Sequence, residues 1–102
     1  MGAVLIGTVG SARGLVFVLG SSEVTVGRDQ SNTVVIDDMA IGRQHLVIHP
    51  ADGERFQLED LMTRTGTFVN GVLLEGKRLL EENDEIRLGG TVFLFQTRPP
   101  EP

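Results

Sequence analysis

The chain shows almost no helical apolar spacing and instead repeats short runs of β-branched and aliphatic residues separated by turn residues. The runs recur about every 8–12 residues, which is typical of sandwiches and small barrels. The structure is therefore predicted to be all-β. Ten predicted strands cover residues 4–9, 15–19, 24–27, 34–36, 45–49, 55–61, 67–69, 72–74, 85–88 and 91–97.

Two turns and the end of the chain set the predicted boundaries. Asn70-Gly71 joins two of the strands and is the strongest short hairpin signal in the sequence. The segment PADGE at 50–54 predicts a turn that ends the preceding strand at residue 49. A length of 102 residues suits one domain. We expect that domain over residues 1–98, followed by a Pro-rich tail or linker at 99–102.

Composition and charge exclude several classes of function. The absence of cysteine excludes disulfides and cysteine-ligated metals. A net charge of −5 argues against a nucleic-acid partner, since such proteins present a basic surface. The apolar first twenty residues are interrupted by glycines and Arg13, so they match neither a signal peptide nor a membrane span. We expect a cytoplasmic protein without a membrane partner.

Enzyme motifs are also missing from the sequence. It contains no Walker A motif, no dinucleotide fingerprint and no nucleophile elbow. His45 and His49 are four residues apart, which on a strand separates them by about 13 Å, too far to share a metal ion. We therefore predict no catalytic residue, no metal site and no cofactor.

Three predicted loops each contain an arginine, and loops carry function in all-β folds. A guanidinium can donate two parallel charge-assisted hydrogen bonds to one phosphate. From the residues alone, however, these arginines need not converge, and Arg43 could instead pair with Asp37 or Asp38. The loops read GRDQSN (27–32), AIGRQH (40–45) and MTRTGT (62–67).

The order of these loops resembles the forkhead-associated (FHA) domain over nearly the whole chain. The family pattern is Gly-Arg after an early strand, then Ser-Arg-x-His, then Asp-Leu-x-Ser-x-Asn-Gly-Thr-x-x-Asn-Gly, and lastly Gly-Asp-x-Ile-x-Leu-Gly. This chain reads GR at 27–28, GRQH at 42–45, DLMTRTGTFVNG at 60–71 and NDEIRLG at 83–89. FHA domains are among the arginine-based readers of phosphorylated peptides.

The resemblance implies a fold and a binding surface. The fold is a β-sandwich of two mostly antiparallel sheets, with about ten to eleven short strands. The surface lies on the loops at one end and takes a phosphothreonine segment. The resemblance assigns phosphopeptide binding to Arg28, Gly42, Arg43, Arg64 and Thr65. It assigns structural support of the site to Gly27, His45, Gly66 and Asn70.

Two of these positions depart from the family pattern. Gly42 stands where the family has a serine hydroxyl, and Thr65 stands where it has an asparagine. An amide can donate and accept at once, whereas a hydroxyl has a single proton to donate. The functional hypothesis is a non-enzymatic module that binds a phosphothreonine-containing protein downstream of a serine/threonine kinase. The alternative is the same fold used as a phosphate-independent interaction or assembly module.

Overall fold

The computed structural model describes residues 2–98, so Met1 and the tail predicted at 99–102 lie outside the described residues. The described chain forms eleven strands and two short 3-10 turns, at Gly10–Ala12 and Asp52–Glu54. None of its helical segments is long and apolar enough to cross a bilayer. The strands are β1 (Gly2–Val9), β2 (Val16–Leu19), β3 (Val24–Gly27), β4 (Val34–Val35), β5 (Leu46–Ala51), β6 (Arg55–Asp60), β7 (Phe68–Val69), β8 (Val72–Leu73), β9 (Lys77–Leu79), β10 (Glu85–Leu88) and β11 (Thr91–Arg98).

The strands form two sheets that pack face to face. One sheet has six strands in the order β2-β1-β11-β10-β7-β8, and the other has five in the order β4-β3-β5-β6-β9. Every neighbouring pair is antiparallel except β3 and β4, which are parallel. The predicted class, a sandwich of two mostly antiparallel sheets with ten to eleven strands, is confirmed.

The core lies between the sheets and follows from the alternation of side chains along each strand. On β6, Phe56 and Leu58 are buried, while the residues between and beside them face outward. The Phe56 ring meets the Phe95 ring of the other sheet edge to face, with centroids 6.1 Å apart. Contacts of this kind fix how the sheets are stacked, and hence which loops meet at each end.

Two details differ from the sequence prediction. The strand β9 was not predicted, because its residues are mostly polar and it pairs only with β6 at the edge of its sheet. The strand β5 also continues through Pro50 to Ala51, so the turn begins two residues later than expected. Proline is tolerated there because the pairing of β5 with β3 stops at Ile48, which leaves the Pro50 nitrogen without a strand partner.

The predicted hairpin at Asn70-Gly71 is present. The φ angles are 52° at Asn70 and 83° at Gly71, as a type I′ turn requires. The Asn70 side chain does more than turn the chain. Its Nδ2 donates to Asp84 Oδ1 at 2.8 Å, and its Oδ1 accepts from the Glu85 N–H at 2.9 Å. This amide therefore ties the β7–β8 hairpin to the start of β10.

Three connections meet at one end of the sandwich, and all three bear arginines. They are the β3–β4 loop (28–33), the β4–β5 loop (36–45) and the β6–β7 loop (61–67). The β1–β2 and β10–β11 turns join them there, since Ser11 Oγ donates to the Asp37 carbonyl and the Gly90 N–H donates to Asp38. The β5–β6 turn and the Asn70-Gly71 hairpin lie at the opposite end.

His49 on β5 lies between two carboxylates on the outer face of its sheet. Its Nδ1 is 2.7 Å from Glu23 Oε2, and its Nε2 is 2.8 Å from Glu59 Oε1. The hydrogen bond with Glu59, followed by that with Glu23, raises the pKa of His49 above its ordinary value of 6.5. The protonated ring can donate to both carboxylates, whereas the neutral ring has one proton and can donate to only one.

This cluster predicts a falling stability as the pH rises. The folded-state pKa of His49 exceeds the unfolded value, so its contribution is complete below about 6.5 and is lost as the pH rises through the folded pKa. We expect His49→Gln to reduce the change in melting temperature between about pH 6.5 and the folded-state pKa of His49. Glu23→Gln, which keeps the Glu59 contact, is expected to reduce this change only in part. An unchanged pH profile in His49→Gln would contradict this role.

Candidate functional site

Arg28 follows directly after β3 and is held against the β4–β5 loop. Its backbone N–H donates to the Gly42 carbonyl at 3.0 Å, and its Nε donates to the Ile41 carbonyl at 3.1 Å. Within residues 2–98 no hydrogen bond or ion pair engages the two terminal guanidinium nitrogens, so both can donate to a ligand. Gly27 permits this close approach, because a Cβ there would lie 2.3 Å from the Arg43 carbonyl oxygen.

The β4–β5 loop is shaped by Asp38. The carboxylate accepts the N–H of Ala40 at 2.9 Å and the N–H of Gly90 at 2.9 Å. These two bonds hold the pKa of Asp38 below its ordinary value of 3.8. The Ile41 side chain, 1% exposed, enters the core and anchors the same loop. The loop that faces Arg28 is therefore fixed at both of its sides.

His45 is fully buried and joins two loops. Its Nδ1 accepts the Gly42 N–H at 2.9 Å, so the ring proton lies on Nε2, which donates to the Gly66 carbonyl at 3.0 Å. Both ring nitrogens are therefore engaged with backbone. Gly66 has a φ of 81°, a left-handed conformation that favours glycine. This pair holds the β6–β7 loop beside the β4–β5 loop.

Asp60 organises the β6–β7 loop from the end of β6. One carboxylate oxygen accepts the hydroxyls of Thr63 and Thr67 at 2.9 and 2.7 Å, and the other accepts the Thr63 N–H at 3.0 Å. The Thr63 hydroxyl oxygen accepts the Gly66 N–H at 3.0 Å. These bonds close the loop so that Arg64 and Thr65 lie exposed at its tip.

Thr65 bonds to the neighbouring loop. Its hydroxyl donates to the Ala40 carbonyl at 2.9 Å, which joins the tips of the two loops directly. The single hydroxyl proton is thereby used inside the chain, and the oxygen retains only its capacity to accept.

A cavity of about 300 Å³ lies between these loops. Arg28 and Arg64 line it together, so the arginines of two loops converge on one space. Neither arginine forms an ion pair within residues 2–98. The remaining lining residues are Met39, Ala40, Ile41, Gly42 and Thr65. The cavity therefore combines unpaired guanidinium groups with loop backbone, which is an arrangement suited to an anion.

Comparison with known proteins agrees with this geometry. The family model of the FHA domain matches residues 24–89, which include all three arginine-bearing loops. The chain belongs to the FHA domain family. The FHA domain of a Chlamydia trachomatis protein is 30% identical, with a TM-score of 0.90 over 97% of this chain and 100% of that one. The predicted resemblance is confirmed.

Two further proteins are similar to this FHA domain over most of its length. One is a structure from a study of phosphothreonine-dependent FHA domain interactions, 29% identical, with a TM-score of 0.85 over 98% of this chain and 100% of that one. The other is the oxoglutarate dehydrogenase inhibitor of Corynebacterium efficiens, 29% identical over 97 residues. That match covers 95% of this chain and 67% of the inhibitor.

The structure brings together most of the residues predicted for the site of this FHA domain. Arg28, Gly42, Arg64 and Thr65 line one cavity, whereas Arg43 does not line it. Arg43 forms no ion pair with Asp37 or Asp38 within the described chain, which removes that alternative. Its charge instead helps to keep the pKa of Asp29 below 3.8, behind the larger effect of the hydrogen bonds from Ser31.

The residues predicted to support the site separate into two groups. Gly27, His45 and Gly66 contact the arginine-bearing loops, as described above. Asn70 does not contact these loops, because its side chain bonds to Asp84 and Glu85 at the start of β10. It supports the FHA fold at the end opposite to the cavity.

Sequence reasoning missed three parts of this FHA site. Asn32 is buried, and its Nδ2 donates to the carbonyls of Asp29 and Arg43 at 2.8 and 2.7 Å, but nothing in its polar loop marks it as a clamp. Asp60 was noted only as part of a motif, although its spacing from Thr63 is typical of a side-chain-capped turn. Met39, 84% exposed on the cavity wall, carries no sequence signal.

A second cavity, of about 310 Å³, lies at the opposite end of the FHA domain beside the β5–β6 turn. It contains a single arginine, Arg55, whose Nε donates to the Asp52 carbonyl, and Glu54 lines the same space. A carboxylate beside the only guanidinium makes this cavity less suited to an anion than the one between the loops.

Proposed function

We propose that this FHA domain binds a segment of a phosphothreonine-containing protein, phosphorylated by a serine/threonine kinase, on the loops at one end of the sandwich. The observation that carries the proposal is the convergence of Arg28 and Arg64 on one cavity without a carboxylate partner in residues 2–98. A phosphate bears about −1.5 to −2 charges and three strong acceptor oxygens, which matches these donors. The similar structure from a study of phosphothreonine-dependent FHA domain interactions supports the same assignment.

In this proposal Arg28 grips the phosphate. Its Nε bond to the Ile41 carbonyl fixes the orientation of the guanidinium, so the two terminal nitrogens can donate in parallel. Gly42, Arg43, Arg64 and Thr65 complete the phosphopeptide surface. Gly42 offers backbone in place of the hydroxyl found in the family pattern. It does not require a left-handed φ, and a Cβ there would lie 3.3 Å from the Thr63 methyl group.

We infer a non-enzymatic module over residues 1–98 that acts in the cytoplasm and takes neither a cofactor nor a metal. The acidic net charge of −5 speaks against nucleic acid as a partner.

A second candidate function is phosphate-independent assembly on the same surface. The observation that favours it is Thr65, whose hydroxyl proton bonds to Ala40 where the family pattern places an amide. Together with the missing hydroxyl at Gly42, this change removes two polar contacts that the family pattern would offer a peptide.

The experiment that separates the two candidates uses a matched pair of peptides, one carrying phosphothreonine and the other threonine. We expect the phosphorylated peptide to bind at least about tenfold more tightly in calorimetry, since charge-assisted bonds contribute about 1.5–3 kcal/mol each. The difference should shrink with added salt, which screens exposed charges. Equal affinity for both peptides would reject phosphate recognition and support the assembly function.

A further inference from the structure

Thr65 changes what the site can hold. Its Oγ1 donates to the Ala40 carbonyl at 2.9 Å, so it has no proton left for a carbonyl of a bound peptide. An amide at this position could donate and accept at once. The peptide main chain therefore finds one hydrogen-bond donor fewer on this loop, and the side chains of the peptide must supply more of the affinity.

The arginines around the cavity differ in how far the chain itself engages them. Arg28 and Arg64 line the cavity, and Arg43 lies on the β4–β5 loop. Arg28 and Arg43 are near enough to Asp29 to contribute to the lowering of its pKa, after the hydrogen bonds from Ser31. Part of their charge is thereby offset inside the chain.

Arg64 differs from the other two arginines. It is exposed at the tip of its loop and has neither a hydrogen bond nor an ion pair within residues 2–98. The cavity volume of about 300 Å³ is also larger than the volume of a phosphate group, so a neighbouring side chain of the peptide has space to enter it.

We propose that Arg64 binds a second anionic group on the same phosphothreonine segment, supplied by an acidic side chain or by a second phosphorylated residue. Arg28 binds the phosphothreonine phosphate, and Arg64 binds the second anionic group beside it. The inference rests on the proposed function, because the first anion brings the second to the cavity. Arg64 thus selects targets that are acidic or doubly phosphorylated around the phosphothreonine.

The test is a cycle of peptides against variants of the whole chain. The parent peptide carries one phosphothreonine and no other acidic residue. In its relatives, a glutamate is moved through each neighbouring position, with glutamine as the neutral control and phosphoserine as the phosphorylated alternative. The proteins are the wild type, Arg64→Gln, and Arg55→Gln as a matched loss of charge at the opposite end of the sandwich.

We expect that, for at least one position, the peptide with glutamate binds about fivefold more tightly than the peptide with glutamine. This difference should be seen with the wild type and with Arg55→Gln. Arg64→Gln should remove that difference, and its affinity for the parent peptide should fall by less than its affinity for the glutamate peptide. A gain with both glutamate and phosphoserine supports acidic targets in general, and a gain with phosphoserine alone supports doubly phosphorylated ones.

Two results would overturn the inference while leaving the proposed function in place. One is an effect of the second anion that is absent for both glutamate and phosphoserine at every position, or that is equally large in Arg64→Gln. The other is a loss of parent affinity in Arg64→Gln as large as the loss of the second-anion effect, which would assign Arg64 to the first phosphate. A parent peptide that binds no better than its unphosphorylated twin would reject the proposed function and this inference together.

Discussion

Arg28→Gln is expected to weaken binding of a phosphothreonine peptide by about 100-fold or more. The substitution removes two charge-assisted bonds worth about 1.5–3 kcal/mol each, and every 1.4 kcal/mol is about a tenfold change in affinity. The fold should survive, because in the described part of the chain the Arg28 side chain makes a single hydrogen bond, from Nε to the Ile41 carbonyl. Losing that bond costs about 0.5–1.5 kcal/mol of stability. Calorimetry with the peptide and a thermal melt measure the two effects separately.

Arg28→Lys provides the matched control. Lysine keeps the positive charge but lacks the planar fork and the Nε donor that orients it. We expect an intermediate affinity, closer to Arg28→Gln than to the wild type. An unchanged affinity in Arg28→Gln would contradict the assignment of Arg28 as the principal phosphate-binding residue of the cavity.

His45→Ala is expected to have the largest effect on stability among the site residues. The ring is fully buried and bonds to the Gly42 N–H and the Gly66 carbonyl. Removal of the ring leaves both backbone groups without a hydrogen-bond partner and creates a cavity, which lowers the free energy of unfolding by about 2–4 kcal/mol. For a domain of this size the melting temperature should fall by about 10 °C or more.

The other histidine provides the comparison for this loss. His49 is 24% exposed, and its partners among residues 2–98 are two carboxylates, so His49→Ala should lower the melting temperature by much less. His45→Ala should also weaken phosphopeptide binding, because the two loops lose their common anchor. A His45→Ala variant as stable as the wild type, with binding alone impaired, would reassign His45 to direct ligand contact.

Most of the fold follows from local sequence signals. On β6, the alternation around Phe56 and Leu58 predicts a half-buried strand, and the strand has that burial. The Asn70-Gly71 pair predicts a type I′ turn because both residues tolerate a positive φ, and both adopt one. In these segments the side-chain pattern and the backbone preference point to the same structure.

The strand β9 could not be predicted in the same way. Lys77 and Arg78 have weak strand preference, and the segment is a strand only because it pairs with Gln57, Leu58 and Glu59 of β6. The prediction failed because the determinant is a neighbour distant in sequence. The extension of β5 through Pro50 has the same origin, since the tolerance for proline depends on where β3 stops.

The site was predictable only in part. Arg28 stands in a motif, and its loop position follows from the strand before it. That Arg28 and Arg64 share a cavity depends on bonds between segments far apart in the chain, including those of His45 to Gly66 and Thr65 to Ala40. The sequence names the residue types on each loop, but their convergence is a property of the assembled sandwich.

The bonds that join the loops have a kinetic consequence. Each one, from His45 to Gly42 and Gly66 or from Thr65 to Ala40, lies within the chain and needs no ligand to form. A partner that meets this end of the sandwich does not have to order the loops, so little conformational entropy is lost on docking. The association rate is then set by diffusion and charge steering, and the lifetime of the complex by dissociation. Such a site can exchange partners on the timescale of diffusion and release.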